Sequence, residues 1–126
     1  MIEVATTDEF VQWYDGLGQS EIEAVTLSVE ILQQMGVALG YPRSSAIKGS
    51  RYPIRELRFQ AGGAVLRVFY AFDPRRQAVL LIGGDKTGDE RFYETYVPRA
   101  ERIWEQYLAE QAAGLHDKHD KKEESS

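Results

Sequence analysis

A chain of 126 residues, 43% apolar and 28% charged, has the size and composition of one soluble globular domain. It holds no cysteine, which excludes disulfides, zinc–thiolate sites and thiol catalysis, and no apolar run approaches the roughly 20 residues of a membrane-spanning helix. The net charge of −5 argues against general nucleic-acid binding, yet the charge is segregated: residues 1–41 carry seven acids and no base, whereas residues 42–76 carry eight bases, seven of them arginine, against two acids.

The opening "MIEVATTDEF" is acidic and lacks the basic and apolar regions of a secretory signal, so a cytoplasmic protein is the expectation. Thr6 and Glu9 have capping-box spacing, and Phe10, Trp13, Tyr14 and Leu17 follow on one helical face up to Gly16 and Gly18. Ser20 and Glu23 repeat the capping signal for a second helix that ends near Met35, before Gly36. Its apolar stripe is wide enough to touch both the first helix and a larger surface. The short link makes the pair an antiparallel hairpin.

From Gly40 the pattern changes to strands. A short edge strand is expected around residues 45–48. "IRELRF" (54–59) alternates, with Arg55, Leu57 and Phe59 on one face and Ile54, Glu56 and Arg58 on the other. "AGG" (61–63) is a hairpin loop, "AVLRVFYAF" (64–72) the returning strand, "DPRR" a turn, and "QAVLLIGG" (77–84) a strand buried on both faces. Asp89 and Glu90 can start a further helix, which Pro98 breaks, kinks or restarts, and residues 99–113 are helical. The reading is α+β: two N-terminal helices packed on a small antiparallel sheet, then a C-terminal helix, in one domain over 1–113. A disordered polar tail is expected over 114–126. His116 and His119 in that tail are solvated side chains in this reading, and neither a metal nor a cofactor is expected.

"LLIGGDKTGD" (80–89) invites a phosphate-loop reading, but its two adjacent glycines lack the G-x-x-x-x-G-K-[ST] spacing and the surrounding strands form a meander. With histidine confined to the tail, Ser44, Ser45 and Ser50 have no partner for a Ser-His-Asp triad. Catalysis would rest on Arg, Lys, Tyr, Glu and Asp, a set suited to stabilising charge on a phosphate. Arg67 stands among apolar neighbours and needs a partner, either Glu56 as a structural ion pair across the sheet or a bound phosphate backbone.

Taken together, "GSRYPIRELR", the glycine hairpin, "RVFYAFDPRR" and "AVLLIGGDKTGD" before an aromatic-rich helix, with "TTDEF" and "WYDGL" at the start, resemble the HigB branch of the RelE/ParE toxin superfamily over about residues 2–110. The resemblance implies a microbial-ribonuclease-like toxin of a type II toxin–antitoxin module. Such a toxin is a hydrolase that cleaves mRNA on the ribosome without a metal, inhibits translation and arrests growth. It implies a cognate helix-turn-helix, HigA-like antitoxin as partner in a hetero-oligomer. Carried over by position, Arg67, Glu56, Arg58 and Lys86 form the catalytic set, to which Tyr93 is added as a candidate acid, with Lys48, Arg51, Arg55 and Tyr70 as candidate RNA contacts. Lys48 and Arg51 suit phosphate binding better than chemistry, and Tyr70, Tyr93 and Lys86 are alternative acids. The chain departs from the many basic members in its net acidity, and no histidine stands where another branch uses one. A ParE-like gyrase inhibitor and a non-catalytic antitoxin-binding member are the alternatives.

Overall fold

The computed structural model describes residues 1–115; His116 and His119, expected to be solvated, and nearly all of the expected 114–126 tail lie outside them. Nine elements follow in order: β1 (Val4–Thr6), α1 (Asp8–Asp15), α2 (Gln19–Met35), a 3-10 turn (Gly36–Ala38), β2 (Ser44–Ala46), β3 (Arg55–Ala61), β4 (Ala64–Phe72), β5 (Ala78–Asp85) and α3 (Phe92–Ala112). The strands form one sheet in the order β1-β5-β4-β3-β2.

One feature corrects the expected architecture. A strand precedes the helices, and it pairs parallel to β5, so the sheet is mixed rather than wholly antiparallel. Three residues carry too little alternation to mark β1 in the sequence; its pairing with the distant β5 makes it a strand. In addition, α3 packs on the face opposite α1 and α2, which gives three layers. Pro98 neither ends nor restarts α3, which runs through it; its missing N–H leaves only the Glu94 carbonyl without a helical donor.

Local chemistry accounts for the ends. The α1 cap is Thr7, whose Oγ1 accepts from the Phe10 amide at 3.0 Å and donates to the Leu81 carbonyl at 2.6 Å, fixing α1 beside β5. At α2 the capping carboxylate is Glu21, which accepts from the Gly18 amide. The β3–β4 hairpin closes through Gly62 and Gly63, both at positive φ, a conformation that glycine adopts without a Cβ clash. Alternation in β3 and β4 then divides the core. Leu57, Val68 and Tyr70 face α1 and α2, and Ile54, Phe69 and Ala71 face α3. A bulge in β5 pairs Phe69 with Ile82 and Tyr70 with Leu80, so that consecutive Leu81 and Ile82 both join the core under α3.

The double glycine in β5 has a packing role. A Cβ on Gly83 would lie 2.4 Å from the Trp13 ring of α1, and one on Gly84 would lie 2.7 Å from Tyr96 of α3. The two glycines let aromatic rings from opposite layers rest on the strand backbone. Gly83→Ala is therefore expected to cost about 1–3 kcal/mol in urea unfolding and to alter Trp13 fluorescence; an unchanged midpoint would contradict this packing role.

Asp73 anchors the β4–β5 turn to the far end of α3. Its Oδ1 accepts from the Arg75 and Gln77 amides, and its Oδ2 from Gln77 Nε2, Tyr107 OH and Gln111 Nε2, all within 3.1 Å. Burial pushes this carboxyl upward, but the hydrogen bonds from Gln77, Gln111 and Tyr107 outweigh it and hold it below the usual carboxylate range. Burial, with the adjacent Asp73 charge, pushes the Tyr107 phenol up to about 12. A lowered folded value means stability that is present above the ordinary carboxylate range and lost as pH falls through the folded value. Asp73→Asn is expected to cost about 2 kcal/mol at neutral pH, with the difference shrinking below about pH 4. A constant difference across that range would refute the linkage.

Candidate catalytic site

The strand pairing brings the polar residues together. Arg58 is paired with Arg67, and Arg67 with Gly84, so both arginines project from the α3 face of the sheet, as does Glu56 two residues before Arg58. Helix α3 begins over this spot and adds Tyr93 from its first turn. Lys86 follows β5 directly; its amide donates to the Val65 carbonyl at 2.7 Å, which ties the lysine to the start of β4.

Glu56 is the hub. Its Oε1 accepts from Tyr93 OH at 2.7 Å and lies 3.4 Å from Arg67 Nε, while Oε2 accepts from Arg58 Nη1 at 3.2 Å. Arg67 Nε also donates to Tyr93 OH at 3.3 Å, and its Nη1 to the Leu66 carbonyl at 2.9 Å. Glu56 and Arg67 are only 4% and 6% exposed, so the ion pair expected across the sheet is present in a low-dielectric setting. Arg58 is more open and lies over the Tyr41 ring. The Lys86 Nζ sits 5.8 Å from the centroid of the Tyr93 ring. Burial, and the hydrogen bond to Glu56, raise the Tyr93 phenol, with Arg67 opposing them; the phenol is therefore a proton donor at neutral pH.

An open groove of about 310 Å³ adjoins this cluster, between the β2 edge (Ser45 to Lys48) and α3 (Tyr93 and Val97), with Glu56 in its lining. The structure thus brings together Arg58, Arg67, Glu56, Tyr93 and Lys86, and sets Lys48 on the neighbouring wall. It does not bring Arg55 and Tyr70 to them. Both lie on the α2 face, where Ser44 Oγ contacts Tyr70 OH at 2.5 Å and accepts from Arg55 Nε at 3.0 Å, and Tyr70 is fully buried. The expectation of RNA contacts at Arg55 and Tyr70 fails to meet the cluster for a simple reason: in a strand, neighbouring residues face opposite ways. Arg51 is engaged by α3 through Glu101 and Glu105. The sequence did not flag Val97 or the β2 edge as groove walls, because no local pattern links segments some fifty residues apart. Among the described residues no three His, Asp or Glu side chains converge as a metal site, and no helix is long and apolar enough to cross a membrane.

A buried carboxylate between two guanidinium groups makes the cluster interdependent. Removing Glu56 leaves Arg67 buried without its counter-charge, so Glu56→Ala is expected to destabilise the fold by about 3 kcal/mol by chemical denaturation. Lys86→Ala, at the rim, is expected to change stability by less than about 0.5 kcal/mol. Equal effects would mean that the Glu56 network is not a unit.

The family model described as phage-derived protein Gp49-like (DUF891) matches residues 12–105. The candidate toxin HigB3 of Mycobacterium tuberculosis (strain ATCC 25618 / H37Rv) is 35% identical over 105 residues, covering 82% of this chain and 90% of that protein. The candidate toxin HigB2 of the same organism is 33% identical over 109 residues, covering 84% of this chain and 54% of its own length, so the chain spans about half of that relative. The matched region runs from α1 to α3 and contains every member of the Glu56 cluster, and the chain belongs to the Gp49-like (DUF891) family and is HigB-like in sequence.

Proposed function

We propose that this protein is the toxin of a toxin–antitoxin pair and that it acts as an RNA endonuclease on mRNA held by the ribosome. The observation that carries the reading is the convergence of Arg58, Arg67 and Tyr93 on one buried carboxylate, with Lys86 beside the Tyr93 ring. Similarity to the candidate toxins HigB3 and HigB2 supports the toxin class.

In the proposed reaction the RNA 2′-hydroxyl attacks the adjacent phosphorus, and the bond to the 5′-oxygen breaks, leaving a 2′,3′-cyclic phosphate and a 5′-hydroxyl. Glu56, joined to Tyr93, receives the 2′-hydroxyl proton through the Tyr93 phenol. Glu56 and Tyr93 share one hydrogen bond and so form a single proton-handling unit, which cannot also serve the opposite side of an in-line displacement. The Lys86 ammonium, across the Tyr93 ring, supplies the proton to the departing 5′-oxygen. Arg58 and Arg67 offset the charge that builds on the non-bridging oxygens. Four cations around one acid (Arg58, Arg67, Lys86 and Lys48 against Glu56) give a cation-rich site in a chain of net charge −5. An acidic segment of a helix-turn-helix, HigA-like antitoxin laid over this site would block RNA by occupying the same groups.

The test is transcript 5′-end mapping after brief induction, beside Lys86→Ala and Arg67→Ala variants at equal expression. The expected outcome is new in-frame 5′ ends in the wild type, reduced about 100-fold by either substitution. Lys86→Ala, with its fold intact, separates catalysis from stability. Growth arrest with unchanged transcript ends would sink the nuclease and redirect the search to DNA gyrase.

A further inference from the structure

Between β2 and β3 the chain makes a loop, residues 47–54, whose base is closed by the Ile47 amide on the Ile54 carbonyl at 3.0 Å. Lys48 stands at its start and lines the groove beside Glu56 and Tyr93. The tip of the loop does not hang free. Ser50 Oγ and the Arg51 amide each donate to Glu101 Oε2 at 2.9 Å, and Arg51 Nε lies 3.7 Å from Glu101 Oε1. One turn on, Glu105 pairs with Arg51 Nη2 at 3.2 Å and accepts a short hydrogen bond from Tyr52 OH. The Arg51 guanidinium also lies over the Tyr52 ring.

Tyr93, Val97, Glu101 and Glu105 are spaced four apart in α3, so they form one stripe along the helix. The first two line the groove, and the last two hold the loop that forms its opposite wall. One rigid helix thereby fixes both walls over a span of about 18 Å. The Glu101 carboxylate is held below the usual range, first by the Arg51 amide and then by Ser50, so it is charged at neutral pH. Its side chain is only 12% exposed, which limits competition from water for these bonds.

We propose that Glu101 is a positioning residue: by latching loop 47–54 onto α3 it holds Lys48 against the groove, where the ammonium meets the RNA phosphate next to the one being cleaved. This rests on the nuclease reading above. It also reassigns Arg51, which belongs to the latch and leaves phosphate contact to Lys48. The Glu101 carboxylate is bound to Ser50 and Arg51 and is not among the residues that line the groove, so it acts on substrate binding and not on bond breaking.

The experiment has two arms on the full chain, with wild type, Glu101→Ala, Glu101→Gln, Lys48→Ala and the Glu101→Ala/Lys48→Ala double variant. The first arm is amide hydrogen exchange. Glu101→Ala is expected to speed exchange at Arg51 and Tyr52 about tenfold, while Glu101→Gln, which keeps an acceptor oxygen, stays near wild type. The second arm is steady-state cleavage of mRNA on programmed ribosomes. Glu101→Ala is expected to raise KM about tenfold, one lost phosphate contact, with kcat within about twofold, to match Lys48→Ala, and to add nothing in the double variant. Unchanged exchange overturns the latch whether or not the protein is a nuclease. Unchanged KM in Glu101→Ala, or full additivity with Lys48→Ala, overturns the link to Lys48. A wild type that cleaves no RNA overturns the nuclease reading, and the exchange arm still decides the latch.

Discussion

Glu56 is a carboxylate placed where water is almost absent, and much of the site follows from how the fold compensates for that. Burial of a lone charge is strongly unfavourable, so the structure surrounds this one with Arg67, Arg58 and Tyr93. Each partner comes from a different piece of chain: β3 supplies Glu56 and Arg58, β4 supplies Arg67 and α3 supplies Tyr93. The carboxylate therefore couples the middle of the sheet to the first turn of α3. The same coupling that protects the charge orients the groups that would act on a phosphate.

The position of α3 is fixed at both ends. Near its start, Phe92 and Tyr96 rest on Gly84, and Phe92, Tyr96 and Phe69 stack on one another with centroids 4.4–6.3 Å apart. Near its end, Tyr107 and Gln111 hold the Asp73 turn. A helix anchored twice on the sheet is a stiff ruler, and the groove residues Tyr93 and Val97 lie between those anchors. The glycine pair that resembles a nucleotide loop is thus a packing device on which the site depends at second hand.

Acids and bases occupy different segments of this net negative chain, yet the fold brings them together, with Glu56 between Arg58 and Arg67 and with Glu101 and Glu105 on Arg51. The acid-only first 41 residues form β1, α1 and α2, whereas Arg58, Arg67 and Lys86 project on the face beneath α3.

The amino-acid sequence by itself determined the two N-terminal helices, the β3–β4–β5 meander, the alternation that sets Glu56 and Arg58 apart from Arg55, and the need of Arg67 for a partner. These are short-range properties: period 2 and period 3.6, glycine at a turn, a cation amid apolar neighbours; the capping residues read as Thr6 and Ser20 are Thr7 and Gly18. Only the tertiary structure decided the rest. β1 is a strand because β5, more than seventy residues away, pairs with it. Tyr70 is a core residue because its neighbours in β4 give it the buried side, and Tyr93 meets Glu56 because two aromatic rings seat α3 on a glycine. Arg51, an RNA contact by the sequence resemblance, meets Glu101 and Glu105 because α3 packs beside its loop. The physical reason is the same throughout: periodicity fixes which way a side chain points along its own element, but what it meets there is set by elements distant in the chain.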